Sequence, residues 1–422
     1  MLNHVVCLAL LAPAAPQQDP DEQDPAPRTG RATRGDVTPA TPELQINSHL
    51  TGDWGGWHDW LEKRGVEPTL ALVTDASVIA RGGVNRGATG LRSLLDFECS
   101  FYSEPLLGWP DGRLYFDLQV QRGSDGSRDT GDFQVYSNID GPNRIQLAQI
   151  FAEQSFGDGA LRLKLGKSDA NSDFAYVEHG LRHIHSSFGF APTVLAFPTY
   201  PDPAFGGAVF VEPGGSLHFA AGVYDGATQA GIATGHRGPR TVLGSPSDLF
   251  AVGEVGLHWR RGESLPGHFG LGAWRHTGSF ARSSGGLDDG TTGYYLVGDQ
   301  MLWQPENDPD TNRGIGAFLQ YGYADPEVSI AEHYFGCGAT WTGPLAARPL
   351  DACGVGIAMA LWRDRPSEDL AGAGEVAVEL FYSLQLTPWL HLKPDVQYIR
   401  NPGGQPGVSD AWVATLRMSV EF

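Results

Sequence analysis

The sequence predicts an all-β fold: a transmembrane antiparallel β-barrel of about sixteen strands, entered through one short N-terminal helix and preceded by a disordered acidic tether. Three observations carry this. Apolar and polar residues alternate with period two from about residue 66 to the end of the chain. Several of the alternating segments run 11 to 14 residues, longer than the about five or six residues of a globular strand and enough for a tilted strand to cross lipid. Gly accounts for 56 of 422 residues, nearly twice the average of about 7%. Aromatics stay at 10% and charged residues at only 18%, so the chain is rich in turns but folded rather than disordered. A closed barrel can take up a chain of this length as one unit. The net charge is −20, and no basic stripe exists for a phosphate backbone, so a nucleic-acid partner is excluded.

Residues 1–15 hold an apolar run (Val5, Val6, Cys7, Leu8, Ala9, Leu10, Leu11) followed by small residues, Ala12-Pro13-Ala14. This reads as a signal peptide with a short hydrophobic region, although its n-region offers His4 and no Lys or Arg. No later apolar run reaches the roughly 20 residues of a spanning helix, so a membrane form must be a barrel. Residues 16–47 are dense in Pro, Asp, Glu, Thr and Gly and read as the tether. Residues 48–65 follow as the helix segment. Trp54, Trp57 and Leu61 recur at helical spacing, Asp53 can cap the start, and Gly65 closes the end behind Lys63 and Arg64.

Residues 66–422 form the barrel domain. Strands are expected near 67–80, 91–104, 112–122, 144–154, 160–167, 206–212, 216–224, 249–260, 268–280, 292–304, 314–324, 328–342, 352–363, 374–387, 389–399 and 410–422. The last shows the pattern best, with Trp412, Ala414, Leu416, Met418 and Val420 on one face and Val413, Thr415, Arg417 and Ser419 on the other. Lipid offers no hydrogen-bond partners, so a spanning sheet must close on itself, apolar side chains outward and polar ones lining the lumen. Asp117, Gln119, Gln121, Arg162, Lys164, Glu254, His258, Arg260, Glu379, Gln385, His391, Lys393, Asp395 and Gln397 are therefore the expected lining. Trp109, Trp259, Trp303, Trp362, Trp389 and Trp412, near strand ends, are candidates for interfacial girdles.

Motifs for other chemistries fail on context. Gly166-Lys167-Ser168 lacks the first glycine of a phosphate loop, since Leu161 stands there. Gly253-Glu254-Val255-Gly256, Gly270-Leu271-Gly272 and Gly354-Val355-Gly356 open no helix and read as wall glycines. Cys99, Cys337 and Cys353 are scattered without a C-x-x-C, so neither a disulfide framework nor a zinc site is expected. His179, His183 and His185 lie close in sequence but lack a fourth ligand at tight spacing. No Gly-x-Ser-x-Gly elbow is present. No catalytic residue, metal or cofactor is expected.

Asp169 to Ala204 has little strand pattern, and some thirty such residues in a compact protein point to function. The segment is expected to fold inward and narrow the lumen. Lys167, Asp169, Asp173, Glu178, Arg182, Tyr200 and Asp202 are the candidates for a constriction, with Phe174, Tyr176, Phe188 and Phe190 as aromatic surfaces. Rings offer flat apolar faces for stacking while charged groups exchange hydrogen bonds with a polar solute.

Four stretches, in this order, resemble the carbohydrate-selective porin family (OprB type) over most of the chain after the tether. They are Leu50-Thr51-Gly52-Asp53-Trp54-Gly55-Gly56 with Leu61, Arg64 and Gly65; Leu165 to Tyr176 with Ser186 to Phe190 and Phe197 to Ala204; Val223-Tyr224-Asp225-Gly226; and Gln385 to Leu390 with Lys393 to Ile399 and Asn401-Pro402-Gly403-Gly404. The tether and the sparse n-region depart from the family pattern. The resemblance implies a channel in the cell outer membrane that passes small sugars and similar polar solutes passively, in contact with membrane lipid. The number of barrels per assembly, one or several as a homo-oligomer, is left open. The alternative is a secreted soluble β protein that binds or hydrolyses carbohydrate.

Overall fold

A computed structural model describes residues 49–214, 216–239, 241, 244–262, 265–305, 313–363 and 370–422. The expected signal peptide and tether lie outside the described residues. Sixteen antiparallel strands form a closed barrel among them: β1 (Val66–Gly83), β2 (Thr89–Tyr102), β3 (Gly112–Gly123), β4 (Arg144–Phe156), β5 (Leu161–Ser168), β6 (Ala204–Val211), β7 (Leu217–Asp225), β8 (Leu249–Arg261), β9 (Leu265–Ala281), β10 (Leu287–Trp303), β11 (Gly314–Ala324), β12 (His333–Thr342), β13 (Ala352–Leu361), β14 (Gly374–Thr387), β15 (Leu390–Arg400) and β16 (Ser409–Glu421). Each strand pairs with its sequence neighbours, and β1 pairs with β16 to close the ring, in register from Ala71 opposite Glu421 to Ile79 opposite Val413. Closure leaves no open sheet edge.

The expected elements and the observed ones coincide to within a few residues, with three informative differences. β10 begins at Leu287 because its hairpin with β9 continues past a bulge at Gly290, whose φ of 91° suits glycine. β12 begins at His333, not near 328, because the Asp325 carboxylate accepts the Glu327 amide and its carbonyl accepts the Val328 amide, turning the chain there. The entry helix, α1 (Trp57–Glu62), is shorter than its pattern suggested, because Gly55 and Gly56 at positive φ hold the chain outside helical geometry up to Gly56. Asp53 does meet its start, accepting the Asp59 amide at 3.0 Å. Trp57 and Trp60 are exposed.

Alternation holds strand by strand. Leu114, Leu118, Leu163, Leu165, Val255, Leu257, Leu380, Val396 and Leu416 face outward and are exposed, while Asp117, Gln119, Lys164, Glu254, Glu379, Asp395, Gln397 and Arg417 face inward and are buried. Trp109, Trp259, Trp303 and Trp412 are exposed near strand ends, as a girdle requires. Trp362 is not part of it: the ring is buried against Phe133, and its Nε1 donates to the Gly372 carbonyl at 3.2 Å. One end of the barrel carries the start of β1, the end of β16 and mostly short turns. The opposite end carries the long connections, 124–143, 169–203 and 226–248.

Two of those connections fill much of the interior, so many of the inward polar residues are covered and the polar lining expected from the alternation is only partly open to solvent. Phe174, Phe188, Phe190 and Phe197 of 169–203 meet inward residues Phe210, Phe250, Trp274, Tyr295, Phe318 and Tyr334 in one buried cluster. An apolar core therefore sits inside the barrel. Wall glycines make room for it: a Cβ on Gly356 would lie 2.6 Å from the Phe188 ring, and one on Gly316 would lie 2.1 Å from His179.

Candidate functional site

The inward segment 169–203 is knotted at its base by Asp169. Its carboxylate accepts the Asn171 amide at 2.8 Å, the Thr199 hydroxyl at 3.0 Å and the Tyr200 amide at 3.1 Å, joining the first residue of the segment to two near its end. Burial raises this carboxyl to about 6, against the pull of those three hydrogen bonds. Lys167 is likewise spent on structure, its ammonium donating to the Leu147 and Gly235 carbonyls at 2.7 and 2.5 Å. Tyr200 is buried and donates to the Ile139 carbonyl at 3.4 Å.

Wall carboxylates then catch the backbone of the segment. Glu254 accepts the Ala175 amide at 3.0 Å and the Tyr295 hydroxyl at 2.8 Å. Asp299 accepts the Glu178 and His179 amides at 2.9 and 3.0 Å. Glu379 accepts the Ile184 and His185 amides, both at 2.8 Å. A short irregular segment has no ladder for its own N–H groups, and a carboxylate offers about four acceptor positions. Glu254 and Glu379 thus lie on the inner wall as expected, but they hold the segment instead of facing solute.

The second inward connection, 124–143, is held on the wall formed by β14 to β16 and β1 to β3. Arg92 pairs with Asp140 at 2.9 Å and donates to the Tyr136 hydroxyl at 2.5 Å. Ser137 donates to Asp75 at 2.7 Å, and Asp75 takes a two-pronged contact from Arg417 at 2.7 and 2.8 Å. Gln121 and Gln397 donate to the Ile139 and Tyr136 carbonyls at 2.9 and 2.8 Å, and Gln397 also donates to Asp395 at 3.1 Å. Gln119 donates to Asp117 at 3.1 Å. Glu375 accepts the Phe133, Gln134 and Gly403 amides. Sequence reasoning missed this connection. Its signal was the gap of some twenty residues between the strands ending near 122 and beginning near 144.

The remaining interior charges gather in three places. On β4 and β5, Arg162 bridges Glu153 at 2.6 Å and Asp173 at 3.2 Å, Lys164 meets Asp173 at 2.6 Å, and the Arg162 guanidinium lies 3.7 Å over the Phe210 ring. At β15, Lys393 donates to the Arg182 carbonyl at 2.7 Å beside His391, with the exposed Glu178 nearby in the chain. Among the described residues neither Arg182 nor Glu178 has an ion-pair partner within 4.0 Å. Toward the loop-bearing end, Arg144 pairs with Asp202 at 2.9 Å and also reaches the Pro201 carbonyl. These two and Asp125, Arg128, Asp129 and Asp140 line a cavity of about 800 Å³. Arg260, exposed, and Gln385, half-buried, sit at the short-turn end.

The sequence candidates therefore separate. Asp173, Arg162 and Lys164 are brought together; Asp202 stands with Arg144 at the vestibule; Glu178, Arg182 and Lys393 form a third group; Asp169, Lys167 and Tyr200 are buried ties. His183 and His185 do not converge on an ion site: His183 is boxed by Phe188, Phe318 and Phe381 at ring separations of 4.6, 5.4 and 5.0 Å.

Residues 92–422 match the model of the carbohydrate-selective porin, OprB family. The chain is 25% identical to Porin B of Pseudomonas aeruginosa over 92% of its own length and 94% of that protein's, and 26% identical to the putative porin QuiX of Acinetobacter baylyi over 90% and 94%. Among solved structures, that of Pseudomonas putida OprB at high pH superposes with a TM-score of 0.77 at 21% identity, covering 89% of this chain and 99% of that one. The low-pH structure of the same protein gives 0.59 at 18% identity, covering 90% and 100%.

Proposed function

The chain belongs to the OprB family of carbohydrate-selective porins, and from that premise we propose how its interior treats a solute. It is a porin of the cell outer membrane, passing sugars by diffusion through a β-barrel narrowed by inward-folded connections. Its relatives are channels rather than enzymes, and a soluble sugar-binding or hydrolytic protein is not favoured. A barrel of sixteen strands is wide enough for an aqueous channel, and the two inward connections reduce that width. Short turns at one end and long connections at the other support an orientation with the start of β1 and the end of β16 on the periplasmic side and the 800 Å³ cavity toward the outside.

The solute first meets the Arg144–Asp202 pair and then the narrowed level where Arg162, Lys164, Asp173, Glu178, Arg182 and Lys393 are placed. Charges of both signs at one level suit a neutral polyol: they hydrogen-bond hydroxyls without favouring either ion. Contacts of this kind release quickly, as conduction requires. The outward Leu and Val band supports contact with lipid acyl chains, and assembly of several barrels is compatible with it. The observation that carries this reading is a greasy exterior around a charged, narrowed interior on one closed ring. Liposome swelling tests it. Vesicles holding the barrel are expected to admit glucose faster than protein-free vesicles and faster than they admit a disaccharide; glucose entry no faster than in protein-free vesicles would overturn it.

A further inference from the structure

Parity along β1 puts Val78 and Ala80 on the lipid face and would turn Arg81 inward. A bulge reverses this. Ile79 pairs with Val413 but Arg81 with Trp412, so β1 gains one residue on β16 and Arg81 joins the outward face. Gly82 follows at φ 66°, where a Cβ would stand 1.8 Å from the Asp410 carbonyl oxygen, so only glycine keeps β1 against β16 behind the bulge. Trp412 is in turn opposite Tyr398 of β15, their ring centroids 5.0 Å apart. Arg400 stands two residues beyond Tyr398 on the same face. Arg81, Arg400 and Trp412 are exposed and Tyr398 is half-buried. Both guanidiniums are close enough for their charge to act on the Tyr398 hydroxyl.

The two arginines are not spent on the protein. Among the described residues neither has an ion-pair partner within 4.0 Å. The carboxylate beside them, Asp410, accepts the Tyr398 hydroxyl at 2.6 Å and the Asn401 amide at 3.0 Å, so each of its oxygens already has a donor. Two cations therefore stand against one anion, in a chain whose net charge is −20. Their height on the barrel follows from β16, whose outward residues from Trp412 are Ala414, Leu416, Met418 and Val420. Eight residues rise about 26 Å along the strand, or about 20 Å of membrane height at a tilt of 35–45°. The Trp412–Tyr398 pair thus tops the apolar band at headgroup level, at the end that carries the long connections.

We propose that Arg81, Arg400, Trp412 and Tyr398 form a docking site for the headgroup of an outer-leaflet glycolipid that carries phosphate on its sugar. Guanidinium groups take phosphate in two-pronged contacts, and the rings offer flat faces to a sugar. A plain phospholipid would meet the arginines and leave the rings without a partner. The patch is continuous with the lipid face below it, where acyl chains would lie along Val78, Val396 and Leu416. The site takes only the orientation of the barrel from the reading above and is independent of the solute.

The test is native mass spectrometry of detergent-purified barrel with bisphosphorylated lipid A, the same lipid A stripped of its phosphates, and phosphatidylglycerol. Preferred retention of the bisphosphorylated form is expected. Arg81→Gln with Arg400→Gln is expected to weaken it by about tenfold or more, the scale of one lost hydrogen bond to a charged group, and Arg400→Gln alone or Trp412→Leu by a few-fold. Arg275→Gln, at an exposed arginine of β9, leaves retention unchanged. Gel mobility of the unheated barrel checks folding, and Arg400→Gln alone carries the test if the double variant does not fold. Equal retention by parent and variants, equal retention of dephosphorylated lipid A or of phosphatidylglycerol, or an equal loss with Arg275→Gln each overturns the proposal. So does a double variant that loses barrel–barrel assembly while keeping the lipid, since a second barrel would then cover the patch. Lipid retention in detergent and glucose entry into vesicles are read separately, so failure of one leaves the other standing.

Discussion

The barrel interior has two kinds of wall, and each holds its inward connection by different physics. From β6 to β14 the wall is aromatic and glycine-rich; it packs the rings of 169–203 and catches their backbone with Glu254, Asp299 and Glu379. From β14 through the closing seam to β3 the wall is polar. There Arg92, Gln121, Gln397 and Arg417 reach individual side chains and carbonyls of 124–143. The first is adhesion by shape, with carboxylates spent on amide donors. The second is a set of directed pairs that fail one at a time. The excess of acid over base is therefore partly structural: several acidic groups are consumed by backbone N–H groups and add no free charge to the channel.

The largest expected effect tests the polar wall where it coincides with barrel closure. Arg417 and Asp75 are register partners across the β1–β16 seam, both are nearly inaccessible to solvent, and Arg417 also donates to Asn138 at 2.7 Å. Arg417→Ala leaves Asp75 buried with only Ser137 as a partner. Removing one member of a buried pair costs about 3–5 kcal/mol. The folded barrel is expected to convert to its unfolded mobility at a clearly lower temperature on gels. Asp75→Asn combined with Arg417→Gln is expected to recover part of the loss; a single Arg417→Ala variant as heat-resistant as the parent would show that the seam does not depend on the pair.

The aromatic wall is tested by Glu379→Leu. The Ile184 and His185 amides lose their acceptor, at about 1–3 kcal/mol for each donor left buried and unsatisfied. Because Phe188 and its neighbours still pack, the barrel is expected to stay closed while 178–190 loosens. Faster amide exchange in that segment and a larger single-channel conductance are the measurements. Equal exchange in variant and parent would mean that packing alone seats the segment.

How much of this was legible follows from the same contrast. Strand positions and faces could be read because a two-residue period survives wherever one face meets lipid. Parity along a strand puts Asp117, Gln119, Lys164, Glu254, Glu379, Asp395 and Gln397 on buried inner faces. What could not be read was which inward residues would be covered. Phe210, Phe250 and Phe318 interrupt the polar alternation on inner faces, and a period-two reading treats them as noise. They mark where another segment packs. The fates of Asp169 and Lys167 were equally hidden, because their partners Thr199, Tyr200 and Gly235 are brought near only by folding. The connection 124–143 left a visible gap between strands but no motif.

Acid is expected to act on the two walls unequally. His179, His183 and His185 all belong to 169–203, and burial lowers each of them below the ordinary 6.5, to about 4 for His179 and His185. A depressed pKa means the folded segment prefers the neutral ring. That preference is fully present above 6.5 and is lost as pH falls through the window toward 4. Asp169 works the other way over part of this range, because its raised carboxyl gains its proton near 6. Within the segment itself the three imidazoles outnumber the one raised carboxyl, and a net loosening is expected. Amide exchange in 178–190, corrected for its intrinsic pH dependence, is expected to accelerate between pH 7 and 5, with the backbone of 132–140 changing less. Equal acceleration in both segments would remove the histidines as the cause.

The smallest expected effect concerns the solute. Arg182 is half-buried, carries no ion-pair partner among the described residues, and is held through its backbone carbonyl by Lys393. Its guanidinium therefore contributes little to seating the segment, and Arg182→Ala is expected to leave barrel yield and heat resistance near the parent's. A hydrogen bond from a charged group to a hydroxyl is worth about 1.5–3 kcal/mol when fully formed, and less in a wet channel where water replaces it, so a change of a few-fold in relative sugar rates is the expected scale. Asp202→Ala is expected to act similarly at the vestibule, with an added loss because Arg144 is freed. Rates for glucose and a disaccharide, measured by swelling with each variant, separate the two positions. If the ratio of the two sugars is unchanged in both variants, selection is made elsewhere, and the Arg162, Lys164 and Asp173 group on β5 and the inward segment becomes the place to look.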